Sequence, residues 1–171
     1  MDSIREEYIT NGVENFYEKH KNDYENPHKK IIQDLLQYAK ANWNLGENLL
    51  DFCCGSGEVS QVFLDKNIIG NDPYTYKLYT QNTNKHCYQK SFKDIVENGF
   101  EHKYDTIISS FAMHLCEESM LPSLLWRIKE STNQLIIITP HKRPICENIY
   151  GWKLIESKKL NKVTMKLYRN D

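Results

Sequence analysis

No apolar run in this sequence is long enough to span a bilayer, and its opening residues, Met1-Asp2-Ser3-Ile4-Arg5-Glu6-Glu7, are charged. Neither a signal peptide nor a membrane span is expected. Net charge is nearly absent as well. The 22 Lys and Arg against 23 Asp and Glu leave -1, so no overall positive field draws the chain to nucleic acid. The five cysteines, Cys53, Cys54, Cys87, Cys116 and Cys146, are odd in number and follow no bridge framework. Cys53 and Cys54 are adjacent, and His86-Cys87 lacks a second pair at ligand spacing, so neither a structural disulfide nor a zinc site is expected. Reduced thiols fit a cytoplasmic setting. The phosphate-binding loop Gly-x-x-x-x-Gly-Lys-Ser/Thr does not occur, and there is no internal repeat or low-complexity tract.

What the sequence does have is a regular alternation. Its 171 residues suit one domain, taken as 1–171. Residues 1–45 read as a helical lead-in or lid and 46–171 as an α/β core. Within the lead-in, Asn26-Pro27 resembles an N-cap followed by proline at the first helical position. Ile31, Ile32, Leu35, Leu36, Ala39 and Trp43 follow at helical spacing, and Gly46 ends the unit. Strands are expected at 48–52, 67–71, 86–90, 104–109 and 135–139, with helices at 58–66, 74–82 and 119–129. Alternation of this kind builds a doubly wound, mostly parallel sheet through right-handed crossovers. The continuous apolar run Leu135-Ile136-Ile137-Ile138 suits a strand covered on both faces. The end of the chain departs from this rhythm. Strands at 152–157 and 163–168, joined by a polar link at 158–162, predict an antiparallel hairpin. Charge is also uneven there: residues 141–171 hold eight Lys/Arg against three Asp/Glu. That is either a solvated surface or a docking face for an anionic substrate.

The first strand runs into Asp51-Phe52-Cys53-Cys54-Gly55-Ser56-Gly57 and then a helix. Glycines at i and i+2 allow a tight turn and close approach of backbone to ligand. In open α/β sheets such a turn lies where ligands bind, outside the carboxyl ends of the strands. Asp51 beside the turn would repel a pyrophosphate but suit the ammonium of a methionine moiety. The dinucleotide fingerprint also fails at its third glycine, since the pattern is Gly55-x-Gly57-x-x-Ser60. Both points favour S-adenosylmethionine over NAD, FAD or ATP. Asp72, 21 residues after Asp51 in Gly70-Asn71-Asp72-Pro73, is either a turn residue or a carboxylate for the ribose hydroxyls. The pairing with the glycine turn favours the ribose role.

On these residues the sequence resembles the class I S-adenosylmethionine-dependent methyltransferase family. Leu49-Leu50-Asp51-Phe52-Cys53-Cys54-Gly55-Ser56-Gly57 is similar to its first motif, with Cys53 where the first glycine is usual. Asp72 is similar to the ribose-binding acid of the second, and the resemblance brings the adjoining Pro73 with it. Residues 104–115, including Ser109, Ser110 and His114, resemble the fourth-strand motif that borders cofactor and substrate. Ser91-Phe92-Lys93-Asp94 falls where the family contacts adenine, with Ser91 in place of the usual acid. The resemblance covers about residues 47–168. It implies a Rossmann-like methyltransferase fold with a seven-stranded sheet of order 3-2-1-4-5-7-6. It also implies S-adenosylmethionine as cofactor, no metal, and Asp51, Cys53, Gly55, Gly57, Asp72, Pro73, Ser91, Phe92, Ser109 and Ser110 around it. The aromatic residues Phe16, Tyr17 and Tyr24 would either lid the sulfonium through their ring faces or simply pack the lead-in.

Methyl transfer from a sulfonium is an in-line displacement, so alignment dominates and a base assists where the nucleophile bears a proton. The candidates are His114, His28 and His141. His114 follows the fourth strand on the substrate rim, and histidine titrates near neutrality; the alternative is a turn histidine with a satisfied hydrogen bond. His28 lies near a helix start, where an imidazolium is disfavoured. His141, in Pro140-His141-Lys142-Arg143-Pro144, belongs to a basic rim or a proline-held turn. A small-molecule acceptor is expected, because no substrate domain is inserted. The alternatives are a methyltransferase of RNA or protein and an inactive binding or activator subunit. The Asn/Asp-Pro-Pro-aromatic motif of amino-group methylases is missing, Ser109-Ser110-Phe111-Ala112 standing in its place. The retained Asp51, Gly55, Gly57 and Asp72 argue against a decayed site.

Overall fold

The computed structural model describes residues 28–171. Phe16, Tyr17, Tyr24 and the expected Asn26-Pro27 helix start lie outside the described residues. The first described helix, α1 (Lys29–Asn42), buries Ile32, Leu35, Leu36 and Ala39, the stripe read from the sequence. It is followed by β1 (Asn48–Phe52), α2 (Glu58–Val62), β2 (Asn67–Asn71), α3 (Tyr76–Thr83), β3 (Cys87–Tyr88) and α4 (Phe92–Asn98). The second half holds β4 (Thr106–Ser110), a 3-10 turn (Met113–Leu115), α5 (Leu121–Ser131), β5 (Gln134–Thr139), β6 (Lys153–Leu160) and β7 (Val163–Arg169).

The seven strands form one sheet of order β3-β2-β1-β4-β5-β7-β6, the expected order. The β1–β2, β2–β3, β1–β4 and β4–β5 pairs are parallel, and β7 runs antiparallel to both β5 and β6. Alternate residues of the central strands therefore face two cores. On one face Leu49, Ile108, Ile136 and Ile138 pack against α1 and α2. On the other, Leu50, Ile107, Leu135 and Ile137 pack against α5, with Trp152 and Tyr168. Each fully buried Leu or Ile side chain contributes about 1.5–3 kcal/mol. Trp152 is fully buried and its indole N–H donates to Leu125 O at 3.2 Å, which ties the start of the final hairpin to α5.

β3 is shorter than the expected 86–90, most other ends move by one to three residues, and three differences have a local cause. The helix after the glycine turn stops at Val62 instead of 66, because Phe63 turns into the core and its N–H bonds back to Ser60 O. Residues 92–98, for which no helix was expected, form α4 behind a capping box: Ser91 Oγ accepts from Asp94 N–H, and the Asp94 carboxylate accepts from Ser91 N–H. The hairpin link is shorter than 158–162. It is the two-residue turn Asn161-Lys162, with φ of 48° and 67°, whose left-handed pair matches the twist of the flanking strands. Lys158 to Leu160 are therefore strand residues.

Candidate functional site

The topology places the site. Neighbouring strands are reached in opposite directions from β1 and β4, so a crevice opens outside the carboxyl ends of these strands. Four loops meet there: 53–57 after β1, 72–75 after β2, 111–116 after β4 and 140–144 after β5.

The first loop takes left-handed backbone at Cys53 (φ 62°), Gly55 (54°) and Gly57 (97°). Glycine holds two of those positions without strain, whereas Cys53 adopts the conformation at a cost. At Gly57 a Cβ would also come within 2.7 Å of Thr83 Cγ2, so the turn is packed against α3. Backbone bonds fix the loop to its neighbour: Cys53 N–H and Cys54 N–H both donate to Asn71 O, at 2.9 and 3.1 Å. The Asn71 side chain holds the next loop, donating to Lys90 O at 2.9 Å and accepting from Lys90 N–H at 3.0 Å.

The sequence set Asp51 against the ligand's ammonium; the structure instead encloses its side chain. It is 1% exposed, and its Oδ2 accepts from Ser60 N–H at 3.2 Å and Ser60 Oγ–H at 2.8 Å. With that proton committed, Ser60 Oγ accepts from the Tyr79 hydroxyl at 2.8 Å. Burial drives the Asp51 carboxyl well above the ordinary range; the Ser60 bonds oppose this, and the nearby Glu58 and Asp72 charges reinforce it. Glu58, which starts α2, is raised by burial despite a hydrogen bond from Ser56 Oγ and the Lys29 charge. Asp72 is nearly buried. Its Oδ1 accepts from Tyr74 N–H (2.9 Å) and Thr75 N–H (3.0 Å), and its Oδ2 from Gly55 N–H at a long 3.4 Å. Three carboxylates thus crowd one glycine turn, and Asp72 Oδ2 keeps accepting capacity.

Sequence reasoning missed Ser60, Tyr79 and Asn71. Ser60 was visible as the missing third glycine: the residue that breaks the dinucleotide fingerprint is the one that binds Asp51.

The other expected residues group as follows. Ser91 caps α4, and Phe92 packs edge-on to Phe52 with centroids 5.9 Å apart. Pro73 follows Asp72 in the second loop. Ser109 and Ser110 end β4, and Ser110 Oγ is buried with no hydrogen-bond partner among the described residues. Phe111 then takes left-handed backbone (φ 56°), which turns the chain sharply into the 3-10 turn that carries His114. The His28 ring lies 4.7 Å from Phe111, and burial lowers its pKa, so it is neutral at neutral pH. His114 and His141 come together, their ring centroids 4.1 Å apart and tilted by 37°. An exposed Arg143–Glu118 ion pair of 3.0 Å also spans the two loops. All three candidate histidines thus border loops at the carboxyl end of β4 and β5. No group of three His, Cys, Asp or Glu side chains that could hold a metal forms among the described residues. Burial pushes the Cys116 thiol up to about 11 and Cys146 up to about 12, so neither is a thiolate at neutral pH.

No family model matches the sequence. An uncharacterized protein of Schizosaccharomyces pombe is 26% identical, over 88% of this chain and 79% of its own length. Among solved structures, the chain superposes on magnesium protoporphyrin IX methyltransferase (ChlM) of Synechocystis with bound SAM. The TM-score is 0.70 at 13% identity, covering 98% of this chain and 95% of that one. It also superposes on the N-methyltransferase NodS of Bradyrhizobium japonicum in complex with S-adenosyl-L-homocysteine. There the TM-score is 0.69 at 10% identity, covering 90% and 95% of the two chains. At such identities the likeness is one of fold: the chain has the Rossmann-like methyltransferase fold.

Proposed function

We propose that the chain is an S-adenosylmethionine-dependent methyltransferase acting on a small-molecule acceptor. The observation that carries this reading is the ring of carboxylates, Asp51, Glu58 and Asp72, around a glycine turn at the sheet's switch point. A cationic ligand beside them favours their ionised forms, whereas a diphosphate would be repelled by every one that is ionised. Asp51 acts from beneath the loop while its hydrogen bonds hold the helix start in place. Asp72 Oδ2 accepts from the ribose hydroxyls, and the buried Ser110 Oγ, without a partner among the described residues, gains one in the bound ligand. Pro73, Phe92 and Ser91 border the adenine, and Cys53, Gly55, Gly57 and Ser109 the methionine side.

When bound, the cofactor supplies an electrophilic methyl group on a sulfonium. The chain's own task is to align the acceptor and to take its proton. His114, packed on His141, receives that proton, and His28 is the neutral neighbour at the β4 exit. Residues 1–171 act as one unit, in which α1 belongs to the core and not to a lid, and Tyr17 and Tyr24 contribute to cofactor binding. Fold neighbours named for small acceptors, such as the magnesium porphyrin enzyme, support the acceptor class.

The test is transfer of labelled methyl from S-adenosylmethionine to a small-metabolite extract, with RNA and protein fractions run in parallel. Label appearing in the small-molecule fraction is the expected result. Label confined to RNA or protein refutes the acceptor class, and absence of label in all three refutes the enzyme.

A further inference from the structure

Beside the paired histidines, on the α5 face of the sheet, lies a cleft of about 350 Å³. His141 and Lys142 enter it from the loop after β5, Lys159 and Lys162 from the closing hairpin, and Thr164 and Lys166 from β7. The register explains the convergence. Thr164 is paired with Thr139 and Lys159 with Thr164, so the tip of the hairpin lies at the carboxyl end of β5, level with His141. Side chains alternate along β6: Lys158 crosses to the α1 face, its ammonium 4.7 Å over the Tyr38 ring, and Lys159 takes the cleft face. Lys162 sits in the left-handed turn.

The charge balance is one-sided. Glu147 pairs with Lys166 at 3.4 Å, but Lys142, Lys159 and Lys162 have no carboxylate at ion-pair distance among the described residues. Lysine on an exposed edge strand serves to block edge pairing. That accounts for lysines along β6, but not for lysines from a loop, a turn and two strands lining one concavity. An anion seated there would face positive charge from each of these elements. The cleft also adjoins the site, since His141 lines it and has its ring 4.1 Å from that of His114.

We propose that the methyl acceptor carries a phosphate monoester and that this group seats among Lys142, Lys159 and Lys162, with its nucleophilic end directed past His141 toward His114. The assignment names the substrate class within the methyltransferase reading and rests on it. It also separates two electrostatic regions: an acidic turn for the cofactor and a basic cleft for the acceptor.

The test is calorimetric titration of the full chain with inorganic phosphate and with glycerol phosphate, at matched ionic strength in chloride. A 5′-phosphorylated RNA hexamer and S-adenosylhomocysteine are titrated in parallel. Both phosphates should bind, and the exposed double substitution Lys159→Gln and Lys162→Gln should weaken them about tenfold, the loss of one to two charge-assisted contacts. S-adenosylhomocysteine affinity and the melting temperature should stay unchanged. Phosphate heats equal to chloride, or phosphate affinity unaltered by the double substitution, overturn the proposal. An RNA affinity far above that of either monoester also overturns it, in favour of a nucleic-acid acceptor. Should S-adenosylhomocysteine itself fail to bind, the methyltransferase reading falls, whatever the phosphate result.

Discussion

Asp72→Ala is expected to weaken S-adenosylhomocysteine binding by about tenfold to about 150-fold, the loss of hydrogen bonding to a charged acceptor worth about 1.5–3 kcal/mol. The residue has two jobs. Its Oδ1 holds Tyr74 N–H and Thr75 N–H, and its Oδ2 is only loosely engaged by Gly55 N–H at 3.4 Å. The two are separable by substitution. Asp72→Asn keeps an oxygen for the loop N–H groups but loses the charge and half the accepting capacity, so it should retain the melting temperature of the unsubstituted chain while still binding the ligand poorly. Isothermal titration with parallel thermal melts checks both. Full ligand affinity in Asp72→Ala removes the ribose assignment. Loss of affinity only in proportion to loss of stability reduces Asp72 to a turn residue.

His114→Ala is expected to lower turnover by about 10²–10⁴-fold, the range for a removed general base, with S-adenosylhomocysteine affinity changed little. The ring is held by the 3-10 turn below it and by His141 at 4.1 Å. His141→Ala, which leaves the base but frees its ring, should cost less and act mainly on the acceptor KM. The pH profile separates a base from a packing residue. In the intact enzyme, the acid limb of kcat should follow a histidine, flat above its pKa and falling below it. In His114→Ala that limb should vanish. A retained limb assigns it to another group, and unaltered turnover removes the proton-acceptor role.

The architecture was legible because four of the five parallel strands announce themselves as short apolar runs followed by a turn residue, β3 being the exception. Leu49-Leu50, Ile68-Ile69, Ile107-Ile108 and Leu135 to Ile138 are buried on both faces or nearly so, and no alternative element suits them. The α4 helix was not legible, since seven residues with a single buried side chain, Ile95, make no stripe. Its signal was the capping box of Ser91 and Asp94, which had been given to the ligand instead. The site was partly legible. Glycine spacing and two acids located the turn, because left-handed backbone restricts residue type. The burial of Asp51 was not visible: whether a carboxylate faces a ligand or a serine nine residues on depends on how the following helix docks. The basic cleft was visible only as an excess of lysine in the last thirty residues. Strand register, which no local pattern encodes, brings Lys159 and Lys162 to His141.

The electrostatic selection at the glycine turn has the most direct test in ligand affinity measured against pH. Burial raises the Asp51 and Glu58 carboxyls above the ordinary carboxylate range, so they take up protons at a higher pH than free carboxylates do, while S-adenosylhomocysteine keeps its ammonium. A protonated carboxyl no longer attracts the cation, so affinity should rise with pH as these carboxyls ionise, with protons released on binding. ADP and NAD, measured alongside, should bind weakly throughout and gain nothing as the pH rises. An S-adenosylhomocysteine affinity that is flat or falls with pH, or a diphosphate ligand that binds more tightly, would contradict the account.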